Sequence, residues 1–112
     1  MRAESYPIWE DRILIAQTDG MSSLVESTLE RWFSPAYRRN NQSKVARIGE
    51  MVAATSPLGY VRFCRAIMDM AFADRIRSIL TPTLVVPGEL DTALPIPMSE
   101  ITRDRIPGAQ SN

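Results

Sequence analysis

The four residues "TLVV" (83–86) constrain this chain of 112 residues more than any other stretch. They are apolar, largely β-branched and bracketed by Pro82 and Pro87, which is the pattern of a short strand buried on both faces. Everything before them reads as helix. A strand of that kind needs sheet neighbours on both sides, and no other segment carries a strand signal. The chain is therefore expected to be part of a larger α/β architecture, or to borrow a partner strand.

The helical segments are set by apolar spacing and by stop signals. "IWEDRILIAQ" (8–17) places Ile8, Arg12 and Ile15 on one face and Trp9, Ile13 and Ala16 on the adjacent one. Gly20 is expected to close that helix in a left-handed turn. "MSSLVESTLERWF" (21–33) repeats Leu24, Thr28, Leu29 and Trp32 at helical spacing, with Ser22 or Ser23 as its N-cap. Ser34-Pro35 stops it, and the polar "YRRNNQ" follows. "SKVARIGEMVAATS" (43–56) puts Val45, Ile48, Met51 and Val52 on one side. "PLGYVRFCRAIMDMAF" (57–72) is the most apolar helix, with Tyr60, Phe63, Cys64, Ile67 and Met68 along a broad face. "ADRIRSIL" (73–80) gives a short turn of helix, and "MSEITRDRI" (98–106) gives the last helix before "PGAQSN".

At this length the chain builds one small domain, burying roughly two thirds of its unfolded surface. Thirteen basic residues, all but Lys44 being Arg, balance thirteen acids and are scattered among them. No nucleic-acid stripe or membrane-directed field is expected. No apolar run reaches the ~18 residues that span a bilayer, and "MRAESYPIWEDR" lacks the apolar centre of a secretion signal. A single cysteine, Cys64, agrees with a reducing compartment. A cytoplasmic chain is expected.

A complete catalytic centre is not found in these residues. The nucleophile elbow G-x-S-x-G needs glycines four apart, and the five here stand at 20, 49, 59, 88 and 108. "DGMSSL" holds half of the pattern, but Leu24 replaces the second glycine, and a helix start accounts for Ser22. Cys64 lies mid-helix on an apolar face with no histidine in the chain to activate it, so core packing is its default. One Cys and no His exclude ordinary zinc sites, and no loop signature marks a carboxylate cation site. No cofactor is called for. The aromatic and Met positions are expected mainly in the core, with a minority lining a pocket.

Several stretches taken in order carry a resemblance: "WEDRI" (9–13), "DGMSSL" (19–24), "ERWFSPAYR" (30–38), "TSPLGYVRFCRAI" (55–67), "PTLVVPGELD" (82–91) and "IPGA" (106–109). Together they resemble the C-terminal part of 3-oxoadipate enol-lactonases, α/β-hydrolases that open an enol-lactone ring in bacterial catabolism of aromatic compounds. "RWF" and "GY..C.AI" are the discriminating pieces, whereas "PTLVV.G..D....P" is common to many α/β-hydrolases. The resemblance implies a partial α/β-hydrolase fold, mostly α. Residues 1–72 would be a helical cap of four or five helices. Residues 73–112 would be a partial core, with one strand at about 83–87 and a C-terminal helix.

The resemblance also places Asp91 where that family carries the acid of a Ser-Asp-His triad, whose serine and histidine partners are absent from these residues. Trp32 and Tyr60 are implied as substrate-pocket candidates. Arg31 or Arg65 is implied as a partner for a substrate carboxylate, against the commoner role of a surface salt bridge. A lactone or ester would be bound only with the rest of the fold supplied, and the chain alone is expected to be inactive and marginally stable. Two other readings stay open: a fragment of a different esterase or peroxidase-like α/β-hydrolase, and a non-catalytic helical module. The latter would form a homo-oligomer or complement another fragment through its apolar helices and exposed strand.

Overall fold

The computed structural model describes residues 3–112, with side chains from residue 4. The chain divides into two compact units, Met1–Met70 and Ala71–Asn112. Each is described by itself.

The first unit is helical throughout. A 3-10 turn at Ala3–Ser5 leads into α1 (Tyr6–Thr18), and a second one at Met21–Leu24 leads into α2 (Val25–Trp32). Then come α3 (Pro35–Asn40), α4 (Gln42–Ala53) and α5 (Pro57–Met68). Two of these starts share one device. Ser34 and Ser56 stand at the N-caps, each followed by proline at the first helical position, and their hydroxyls accept from Tyr37 N–H (3.2 Å) and Gly59 N–H (3.3 Å). Proline loses nothing there, since its missing N–H would have had no helical partner. Ser34-Pro35 therefore begins α3 rather than only ending α2.

Ser22 and Ser23 do not act as caps. The residues after Gly20 wind as a 3-10 turn, and Ser23 donates its hydroxyl back to the Asp19 carbonyl at 3.5 Å. Gly20 does take positive φ, 86°, but with ψ at 172°. That region is essentially glycine-only and turns the chain sharply, instead of giving the left-handed helical turn expected from sequence. Its N–H still bonds the Ile15 carbonyl at 3.2 Å, closing α1.

The core of this unit is Ile13, Ala16, Met21, Leu24, Val52, Val61 and Cys64, with Trp9, Ile15, Val25, Tyr60 and Met68 packed around it. The Trp9/Ile13/Ala16 face of α1 is thus the inward one, and it meets α5. Gly49 lets α4 approach α2 closely, because a Cβ there would lie 3.2 Å from Leu29 Cδ1 and Val25 Cγ1.

The expected apolar stripes are rotated on two helices. On α4 the buried positions are Val45, Gly49 and Val52, leaving Met51 exposed. On α5 they are Val61 and Cys64, and Phe63 is 66% exposed. The helix also ends at Met68, short of Phe72, and the turn expected at 73–80 narrows to a 3-10 turn at Arg75–Ser78.

The second unit holds β1 (Leu84–Val85), α6 (Ile96–Arg105) and β2 (Gln110–Ser111). The strand has a partner within the chain after all. β2 runs parallel to β1 in the register Leu84↔Gln110 and Val85↔Ser111. Its amides donate from Gln110 to the Thr83 carbonyl (3.0 Å) and from Asn112 to the Val85 carbonyl (3.1 Å). A helix joins the two parallel strands, as parallel pairing requires, and Gly108 at φ 73° turns the chain into β2.

β1 is two residues long rather than five, and it is not buried. Leu84, Val86, Leu90 and Leu94 are all exposed, and Leu80 is 88% exposed. Ile106 is the one buried apolar residue of this unit. Among the described residues, no helix is long and apolar enough to cross a membrane.

Candidate functional site

In the second unit, the chain leaves β1 through Pro87 and Gly88 and turns at Asp91, whose N–H bonds the Gly88 carbonyl at 3.2 Å. The side chain of Asp91 then reaches forward. Its Oδ1 accepts from the backbone N–H groups of Ala93 and Leu94, both at 2.9 Å. Aspartate commonly closes such a turn on its own following amides. Here the turn fixes the carboxyl plane and leaves Oδ2 without a hydrogen-bond partner among the described residues. The exposed carboxylate thus has one oxygen anchored and the other open to accept from an N–H donor.

The first unit gathers a second set of groups. Tyr60 from α5 is half-buried against the core, one helical turn before the buried Cys64. Arg12 lies over the Trp9 ring, its guanidinium carbon 4.7 Å from the centroid. Arg31 at the end of α2 donates from Nη2 to Thr28 Oγ1 at 3.3 Å, and Thr28 is itself buried.

The three helices bring these groups within electrostatic reach of one another. Loss of water around Arg31 pulls its pKa down, and the like charge of Arg12 adds to that, opposed by Tyr60. Burial pushes the Tyr60 phenol up, reinforced by Cys64 and opposed by Arg12 and Arg31. Burial also pushes the Cys64 thiol up, against the pull of Tyr60 and Arg12. With 0% exposure and a raised pKa, Cys64 stays a packed thiol, not a nucleophile.

The sequence candidates therefore separate. Tyr60 joins the arginine cluster. Trp32 is 60% exposed and absent from the core, and Arg65 is exposed on α5. Asp91 stands in the other unit. Arg12 was not singled out from sequence, although the Trp9-Arg12 spacing of three residues on one helix was the available signal. An open depression of about 480 Å³, bordered by Leu29, Pro35, Arg38, Gln42 and Val45, holds none of these candidates. Arg38 there is already paired with Glu26.

Known proteins share the fold of this chain. An enol-lactonase of known structure from Burkholderia xenovorans superposes on 94% of the chain with a TM-score of 0.91 and 28% identity. This chain is part of an α/β-hydrolase fold.

A hydrolase structure from Pseudomonas aeruginosa agrees, with a TM-score of 0.85 and 29% identity over 95% of the chain. Each likeness covers 40% of the solved hydrolase. In sequence, the chain is 30% identical to 3-oxoadipate enol-lactonase 1 of Acinetobacter baylyi over 88% of its own length. It is 24% identical to enol-lactonase 2 of the same organism over 74%. The chain spans 37% and 31% of the lengths of those two relatives. No family model matches it. The resemblance to 3-oxoadipate enol-lactonases thus holds over most of the chain.

Proposed function

We propose that this chain supplies the cap and the acid-bearing turn of an enol-lactone hydrolase. Residues 1–72 act as the helical cap, and 73–112 as the piece of core that presents Asp91. The observation that carries this reading is the double anchoring of Asp91 Oδ1 by Ala93 and Leu94. It sits in the turn after β1, in a chain similar to enol-lactonases on either side of it.

In such a hydrolase a serine attacks the lactone carbonyl, a histidine carries the proton, and backbone N–H groups stabilise the oxyanion. These 112 residues contain no histidine and no G-x-S-x-G elbow. The imidazole and the nucleophile belong to polypeptide outside them. Asp91 would hold that imidazole in the right tautomer and stabilise its charged form; Trp32 and Tyr60 would face the substrate from the cap. Taken alone, the chain is inactive by this reading. Its place is the cytoplasm, where the lone Cys64 remains a thiol.

The test is a chimaera in which this chain replaces the matching segment of the Acinetobacter baylyi enol-lactonase. Enol-lactone hydrolysis is expected from the chimaera, falling on the order of 10⁴-fold in Asp91→Asn. A folded, active chimaera indifferent to Asp91→Asn would remove Asp91 from the triad role.

A further inference from the structure

The two carboxylate oxygens of Asp91 have different surroundings. Oδ1 accepts from the Ala93 and Leu94 N–H groups, both at 2.9 Å, and Oδ2 has no hydrogen-bond partner among the described residues. The main chain is tied on either side as well. The Asp91 N–H bonds the Gly88 carbonyl at 3.2 Å, and Pro95, next after Leu94, caps α6 and accepts from the Met98 N–H at 2.8 Å. Turning the carboxyl group over would break two charge-assisted hydrogen bonds at once.

A triad carboxylate has to present an acceptor to the imidazole N–H. In an unanchored aspartate either oxygen could do so. Here Oδ1 already serves two donors, and the open lone pairs are on Oδ2.

We propose that Oδ2 of Asp91 receives the imidazole N–H, and that Ala93 and Leu94 are positioning residues whose amides prevent the carboxyl group from turning over. This rests on the triad role proposed above and deepens it. Its consequence concerns asparagine, which has one acceptor oxygen and one NH2 group. In Asp91→Asn the two amides claim that oxygen, so the NH2 faces the imidazole. The ring must then carry its proton on the other nitrogen and cannot take one from the serine. Without the amides, the carboxamide could turn over, offer its oxygen to the ring and keep the right tautomer.

The anchoring is read on the 112-residue chain, by NMR of the Ala93 and Leu94 amide protons during acidification. Both are expected to move in one common step as the carboxyl group takes its proton, and the step is expected to vanish in Asp91→Asn. Unmoved amides, or the same step in Asp91→Asn, would overturn the proposal. The orientation is read in the chimaera as a double-mutant cycle. Asp91→Asn should lower kcat on the order of 10⁴-fold when both amides are present. Ala93→Pro and Leu94→Pro each remove one donor, and in either background Asp91→Asn should cost at least about tenfold less. Ala93→Ser keeps the N–H and should keep the full loss.

An equal loss in every background would overturn the positioning role and leave Asp91 in the triad. An inactive chimaera, or one indifferent to Asp91→Asn with both amides present, would remove the triad role and with it the use made of Oδ2. The two proline variants are independent routes to one answer, and the amide titration needs neither of them to fold.

Discussion

Ile13, Ala16, Met21, Leu24, Leu29, Val45, Val52, Val61 and Cys64 are buried in the first unit, whereas Ile106 alone among apolar residues is buried in the second. The two stretches do not differ much in apolar content; the second has Ile79, Leu80, Leu84, Val85, Val86, Leu90, Leu94 and Ile101 to offer. The difference lies in what each kind of element requires. A helix completes its hydrogen bonds internally and needs only one stripe covered, which the neighbouring helices of the same unit provide. A parallel strand needs lateral partners and a layer over each face. β1 finds two residues of lateral pairing in β2 and no cover for Leu84 or Val86. The first unit is a core in its own right, and the second is a corner of a sheet.

The sharpest way to break this comparison is to remove equivalent bulk from both sides. Leu24→Ala should destabilise the first unit by about 2–5 kcal/mol, the range for emptying a packed core site. Ile106→Ala should cost clearly less, because there is little packed structure around it to lose. Thermal unfolding followed through the NMR signals of each unit separately would decide. Equal losses would mean that the second unit is as well packed as the first.

A smaller effect concerns pH. Tyr60 and Cys64 both have pKa values raised in the folded chain, burial being the leading cause. A raised pKa means that the unfolded chain releases these protons first, so stability is intact below the unfolded values and falls as pH rises through them. The first unit should therefore lose stability from about pH 8.5 to 10 and above. Cys64→Ala combined with Tyr60→Phe should flatten that alkaline limb while leaving the second unit's signals indifferent. An alkaline limb of the same size in the double variant would place its origin elsewhere.

Much of the first unit was legible in the sequence. The Trp9/Ile13/Ala16 face of α1 and the stop at Gly20 follow from spacing and from the one residue that tolerates positive φ. Phe63 and Met51 were not legible, because a wide apolar stripe does not reveal which edge of it meets a neighbour. The pair Ser34-Pro35 has two readings, a stop and a start, and only the Tyr37 amide on Ser34 decides between them. β2 left no trace at all. Gln110 and Ser111 pair through backbone amides, which any residue type except proline supplies.

The site was legible unevenly for the same reason. Asp91 stood out because a motif surrounds it, and the structure adds how its Oδ1 is held. Tyr60 was named by resemblance. Arg12 was hidden, since the like charge it presents is felt by Arg31 on another helix, and periodicity describes one helix at a time.

The central claim is that the chain pairs a self-sufficient helical core with an incomplete sheet corner, and amide hydrogen exchange of the 112-residue chain tests it most directly. The account predicts strong, cooperative protection across α1, α4 and α5, and near-open exchange at Gln110 and Asn112, whose amides bond across the β1–β2 pair. Equal protection at those two amides would contradict it. They would then belong to a core as complete as the first, and the chain would not need the remaining sheet of a hydrolase to finish it.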